Sequence, residues 1–151
     1  MNNKKGVTMI ILAISLAIML TLATSTVLIG NGYVNEAKLD TFKTNMSAVS
    51  DNVNAYVLKN SKLPISDSNV QSVIYTEYGE DFKNEVIAKN DVKNKLYVVD
   101  INKLDNNVLN NLEVGKGQLS NNNDVFLVAE NSNNVYYLKG FKYRGKMYYS
   151  N

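Results

Sequence analysis

The chain has 151 residues, 45% of them hydrophobic, and its 16 basic and 14 acidic residues give a formal charge of +2. It contains no His, the commonest general base and metal ligand, and no Cys, so that it forms no disulfide. Once Lys4 and Lys5 are subtracted from the 16 basic residues, the remaining 14 balance the 14 acidic ones, and net charge does not favour a polyanionic partner. We therefore predict no enzymatic activity, no cofactor and no metal site.

An uncharged segment occupies residues 7–30. As a helix rising about 1.5 Å per residue it would span roughly 36 Å, enough to cross a hydrocarbon core of about 30 Å. Lys4 and Lys5 precede it, and the first charge after it is the acidic Glu36. Because positive residues favour the cytoplasmic side, we expect a single-pass membrane protein with a cytoplasmic N-terminus and everything after residue 30 outside the cell.

An amphipathic pattern follows over residues 31–60. Its apolar residues recur three or four positions apart, as on one face of a helix, and Pro64 excludes continuation of that helix. We expect this stripe to pack on the core of its own domain rather than in a coiled coil, because it covers only about three heptads. The residues of the predicted helix–sheet contact are Leu39, Phe42, Met46, Val49, Val53 and Tyr56.

The remaining residues, 61–151, are predicted to form one small head with helices first and strands later. A short helix is expected from a capping Ser66 or Asp67 to Ile74, and a second from Glu80 to Lys89. Runs rich in Val and Tyr predict strands at 95–101, 125–130, 135–140 and 146–150.

Connections between these strands also carry sequence signals. The stretch NSNN at 131–134 predicts a hairpin connection, and Arg144-Gly145 predicts a tight turn, so that the last three strands would form an antiparallel meander. We expect a short helix from Asp105 to Leu112, followed by a polar loop at 115–124.

The motif KKGVTMII at residues 4–11, followed by a membrane-length helix and a small sheet, resembles type IV pilins and the pseudopilins of type II secretion and competence machines. The resemblance implies an α+β fold in which a long N-terminal helix packs on a small antiparallel sheet. It also implies that prepilin peptidase removes residues 1–6, with their leader charges Lys4 and Lys5, by cutting after Gly6 and methylating Val7.

At the fifth mature position this chain has Ile11, where major pilins have Glu. Many pilin-like proteins of low-GC Gram-positive bacteria share this form, which favours a minor or variant subunit. The apolar helix would first hold the subunit in membrane lipid and then pack against other pilin-like subunits, with the help of an assembly platform, in a cell-surface filament. The residues expected on the membrane and filament helix are Thr8, Met9, Ile10, Ile11, Leu12, Ile14, Leu16, Ile18 and Leu20.

Two alternatives remain open from the sequence. The chain would be an unprocessed, single-pass anchored protein with an extracytoplasmic binding module if the leader stays, or a small secreted domain if a signal peptidase cuts after about Ser25. The three hypotheses differ in their N-terminus, which begins at Val7, at residue 1 or after the whole apolar run.

The last strands combine basic and aromatic residues without an acid. Such a pattern is able to bind phosphates and stack on bases, but we favour alternation on a half-exposed hairpin, with DNA contact as the less favoured interpretation. The residues concerned are Lys139, Lys142, Arg144 and Lys146, with Tyr143, Tyr148 and Tyr149.

The loop at 115–124 ends in Asp124, preceded by Asn121, Asn122 and Asn123. A single carboxylate among amides is a poor calcium site, and we predict a solvated loop there.

Overall fold

A computed structural model of the protein describes residues 35–105, 112, 114–117, 119 and 123–151. The chain divides into two compact units, Met1–Lys38 and Leu39–Asn151, and the fold below is that of the second. The predicted leader and the membrane segment lie outside the described residues, as does most of the helix predicted from Asp105 to Leu112. Within the described ranges, no helix has both the length and the apolar character that a membrane crossing needs.

The first helix, α1, is helical over residues 35–60. Beyond its last turn Ser61 adopts a left-handed conformation with φ 53°, and its N–H donates to the carbonyl of Val57 at 2.7 Å. This is a common way for a helix to satisfy its last carbonyls. Pro64, which is buried, then prevents the helix from resuming.

Four short antiparallel strands form the main sheet in the order β1-β2-β3-β4. A second helix, α2, lies between β1 and β2 in the sequence, and two further strands, β5 and β6, form a separate hairpin. The bounds are β1 Ser72–Val73, α2 Glu80–Ala88, β2 Leu96–Val98, β3 Phe126–Ala129, β4 Val135–Tyr137, β5 Phe141–Tyr143 and β6 Lys146–Tyr148, with 3-10 turns at Tyr75–Glu77 and Ile101–Lys103. The prediction of an α+β fold with antiparallel strands is confirmed.

Both faces of the sheet are covered, one by α1 and the other by α2. Along β3, Phe126 and Val128 belong to the hydrophobic cluster that contains the α1 stripe, which we call the α1-side cluster. Leu127 and Ala129 belong to the cluster that contains Phe82 of α2, which we call the α2-side cluster. Successive side chains of a strand point to opposite faces, so a strand buried on both sides has no polar positions. This explains the uninterrupted apolar runs in the sequence.

Helix α2 confirms the helix predicted from Glu80 to Lys89, and its buried residues are Phe82 and Val86. The Phe82 ring meets the Tyr136 ring edge to face at 5.9 Å and the Tyr149 ring at 5.1 Å. Such aromatic pairs stabilise by about 0.5–1.5 kcal/mol beyond the area they bury. Phe82 therefore joins α2 both to β4 and to the C-terminal residues.

The helix predicted from Ser66 or Asp67 to Ile74 is wrong. The segment contains β1 instead, in which Val73 is buried opposite Leu96 of β2. Neither expected cap starts a helix: Ser66 Oγ accepts from the Asn69 N–H in a turn, while the Asp67 carboxylate pairs with Lys103. Pairing with β2 outweighed a weak local helical pattern.

The predicted meander is also wrong in its last step. The hairpin between β3 and β4 is confirmed, but β6 pairs with β5, a strand that the sequence pattern did not predict, rather than with β4. Gly140 turns the chain between β4 and β5 with φ +69°, and a Cβ atom at this position would lie 2.7 Å from the Tyr149 ring. The tight turn at Arg144-Gly145 is confirmed, since both residues have positive φ, as a two-residue hairpin turn requires.

Candidate functional site

The α1 stripe is the largest of the predicted sites within the described residues. Its first five members, from Leu39 to Val53, are each less than a tenth exposed and lie in the α1-side cluster with Val99, Val128 and Tyr137 of the sheet region. The ring of Phe42 stacks on Phe141 of β5 with centroids 5.3 Å apart. The helix is thereby fixed to the hairpin as well as to the main sheet.

Tyr56, the sixth predicted packing residue, is only half-buried and lines a cleft of about 350 Å³. The other wall of the cleft contains Lys103, whose Nζ donates to the Ile65 carbonyl at 2.6 Å and to Asp67 Oδ2 at 2.7 Å. The hydrogen bond to Asp67 raises the pKa of Lys103, and the same bond lowers the pKa of Asp67. Lys103 therefore ties the loop after α1 to the 3-10 turn after β2.

A polar groove of about 480 Å³ opens beside the β1–β2 end of the sheet. Valine and leucine side chains form its apolar part, and amide, hydroxyl and carboxylate groups form the rest. Its polar lining residues are Ser66, Asn69, Gln71, Asp100 and Asn102. The Asp100 carboxylate accepts from the backbone and side-chain amides of Asn102, which fixes its orientation. Sequence reasoning missed this groove, because its walls come from three separate segments.

Asp124, weighed above as a cation ligand, closes its own loop in the structure. Its Oδ1 accepts from the Gly115 N–H at 2.7 Å and from the Tyr137 hydroxyl at 2.6 Å. Burial, together with the hydrogen bond to Asp124, raises the pKa of Tyr137 above its ordinary value. Asn121 and Asn122 lie outside the described residues. In the part of the chain that is described, no three acidic, His or Cys side chains gather as metal ligands would.

The four basic residues predicted for DNA contact are all exposed, but they do not share one surface. Lys142 pairs with Met147 on one face of the hairpin, whereas Lys146 pairs with Tyr143 on the other, and Arg144 is in the turn between the strands. Lys139 precedes β5 in a turn. Of the three tyrosines, Tyr143 and Tyr148 pack against the α1-side cluster, but Tyr149 is buried in the α2-side cluster.

The buried carboxylate of Asp91 had no signal in the sequence, where it stands among Asn and Lys residues typical of a solvated loop. It is 1% exposed and accepts from the Tyr136 hydroxyl at 2.5 Å and from the amides of Asn134 and Asn94 at 2.9 and 2.7 Å. The network joins the end of α2 to the β3–β4 hairpin, which is a structural role.

Comparisons with protein-family models, with curated proteins and with solved structures gave no match to this chain.

Proposed function

We propose that the protein is a pilin-like or pseudopilin-like structural subunit, processed after Gly6 and assembled through its N-terminal helix into a type IV pilus, competence or type II secretion-like filament. The motif KKGVTMII and the uncharged residues 7–30 support this proposal from the sequence. The structural observation that supports it most is the amphipathic helix at 35–60, whose apolar stripe is buried on an antiparallel sheet.

The burial of this stripe limits how the subunit would assemble. Five apolar residues of α1 are already covered by the head of the same chain, so they are not free to form a coiled coil with another subunit. The exposed face of α1 is otherwise mostly polar: its apolar members are Ala37, Ala55 and Leu58, and Leu58 is 86% exposed. Contacts between subunits would therefore depend on the apolar residues 7–30, which would exchange lipid for neighbouring helices.

The second candidate is an unprocessed, membrane-anchored protein with an extracytoplasmic binding module. The polar groove favours it, because its volume of about 480 Å³ lies in the size range of small-molecule sites, roughly 300–1,000 Å³. The two proposals differ in whether the leader is removed.

The intact mass and N-terminal sequence of the membrane-extracted protein, taken from its own cells, test the filament proposal. We expect a chain that begins at N-methylated Val7. A Gly6→Val variant is the matched control, and we expect it to retain residues 1–6 because the peptidase of the resembling family cuts after glycine. An intact N-terminus in the unmodified chain, in cells with active prepilin peptidase, would contradict processing and favour the anchored module.

A further inference from the structure

Three positively charged side chains lie beside two tyrosine rings on one face of the β5–β6 hairpin. The Arg144 guanidinium carbon lies 5.1 Å from the Tyr143 ring centroid, and Lys146 Nζ lies 5.0 Å from that of Tyr148. Lys43 of α1 approaches the same Tyr148 ring at 5.9 Å, although it is about a hundred residues away in the chain. We call these five residues the hairpin patch.

The cations of the hairpin patch lack acidic partners within the part of the chain that the structure describes. Among the residues that the structure describes, ion pairs join Lys62 and Lys103 to Asp67 and Lys83 to Glu80, and none involves the patch. Residues 131–151 contain four basic residues and no acidic one. The overall charge balance of the chain therefore hides a local positive surface, and attraction of an anion depends on such local charge.

We propose that the hairpin patch binds single-stranded nucleic acid. Three cations beside the same pair of tyrosine rings are suited to a phosphodiester backbone. Tyr143 and Tyr148 are partly exposed beneath those cations, and both tyrosine rings and guanidinium planes stack on unpaired bases. A base pair inside a duplex does not expose its faces, so this combination favours a single strand. The inference concerns the head alone and does not depend on filament assembly.

The test uses the full-length chain in a nonionic detergent and a fluorescein-labelled 12-nucleotide oligothymidine, with binding followed by fluorescence anisotropy. Neutralising about three phosphates predicts a slope of about −2 for the logarithm of affinity against the logarithm of salt concentration. The triple variant Lys43→Ala, Arg144→Ala, Lys146→Ala should weaken binding at least tenfold.

A matched control variant is Lys59→Ala, Lys93→Ala, Lys95→Ala. It removes the same charge from exposed lysines outside the patch, none of which forms an ion pair among the described residues, and it should bind as the unmodified chain does. Equal loss in both triple variants would show attraction by total charge and would overturn the assignment of the patch.

The stacking part of the proposal has its own test in Tyr143→Leu, which retains apolar contact with the α1-side cluster. We expect it to weaken oligothymidine binding about fivefold or more. Its affinity for inorganic polyphosphate, determined from competition with the labelled oligonucleotide, should not change. Circular dichroism and a thermal melt establish that each variant is folded. If Tyr143→Leu is folded and binds oligothymidine normally, or if polyphosphate binds as tightly as the oligonucleotide, the surface recognises anionic polymers in general and the nucleic-acid inference is wrong.

Discussion

At the scale of single residues, the buried carboxylate of Asp91 is the group in the head that most needs hydrogen-bond donors. A buried charge is costly unless hydrogen bonds replace its water. Burial alone would raise the pKa of this carboxyl, but hydrogen bonds from Tyr136, Ser132, Asn134 and Asn94 together hold the pKa below its ordinary value. Burial and the bond to Asp91 in turn raise the pKa of the Tyr136 hydroxyl. The network is stable as an ionised carboxylate surrounded by donors.

The substitution Asp91→Asn should lower the free energy of unfolding by about 2–3 kcal/mol at pH 7, because an amide nitrogen would face donors and leave buried groups unpaired. Asp51→Asn on the exposed face of α1 is the control, with an expected change within about 0.5 kcal/mol. Urea denaturation of the detergent-solubilised chain gives both values.

The Asp91→Asn variant also gives a prediction about pH. Because folding lowers the pKa of Asp91, its contribution to stability is complete above the unfolded value of about 3.9 and is lost as the pH falls through the lower folded value. Asp91→Asn should therefore flatten the stability curve below about pH 4. Parallel curves for Asp91→Asn and the unmodified chain would contradict this assignment.

At the scale of elements, helix α1 shows how unevenly its apolar residues contribute. Met46 is 1% exposed within the α1-side cluster, whereas Leu58 on the same helix is 86% exposed. Met46 follows the heptad spacing of the stripe and Leu58 does not, so the periodicity separates a core residue from a surface one. Hydrophobicity alone would not have done so.

Met46→Ala should lower the free energy of unfolding by about 2–5 kcal/mol, because it leaves a cavity between α1 and the sheet. Leu58→Ala should change it by less than about 0.5 kcal/mol, and urea denaturation of the detergent-solubilised chain measures both. Comparable losses for the two variants would mean that Leu58 is covered in solution, which the structure of the single chain does not show.

At the scale of the whole molecule, the C-terminal residues contact both helices of the head and its edge strand β4. The carbonyl of Tyr149 accepts from the Tyr137 N–H of β4 at 2.6 Å, and its ring packs on Phe82 of α2. The Ser150 hydroxyl donates to Glu85 of α2, and the Asn151 side-chain amide donates to Ser47 Oγ of α1 at 2.8 Å. The last residues therefore connect a sheet edge to both helices.

Tyr149→Ala should destabilise the head by about 3–5 kcal/mol, as removal of a buried aromatic ring does, and should increase amide hydrogen exchange in both α2 and β4. Tyr149→Phe is the matched control, because it keeps the ring and removes only the hydroxyl, and it should cost less than about 1 kcal/mol. Faster exchange confined to β6 would contradict the connecting role.

The sequence by itself predicted the elements whose signals are local. The spacing of Leu39 to Val53 predicted α1, the segment from Glu80 to Lys89 predicted α2, and four Val- and Tyr-rich runs predicted β2, β3, β4 and β6. These signals suffice because helix and strand periods are properties of a few consecutive residues.

Tertiary structure alone decided what depends on distant partners. The strand at Ser72–Val73 forms because β2 pairs with it. The strand β6 pairs with β5 instead of β4, because Gly140 turns the chain before β5. The bond between Asp91 and Tyr136 joins residues 45 positions apart, and the approach of Lys43 to Tyr148 joins residues 105 positions apart. No local pattern encodes such contacts, because the free energy that selects them arises only when the covered sheet has formed.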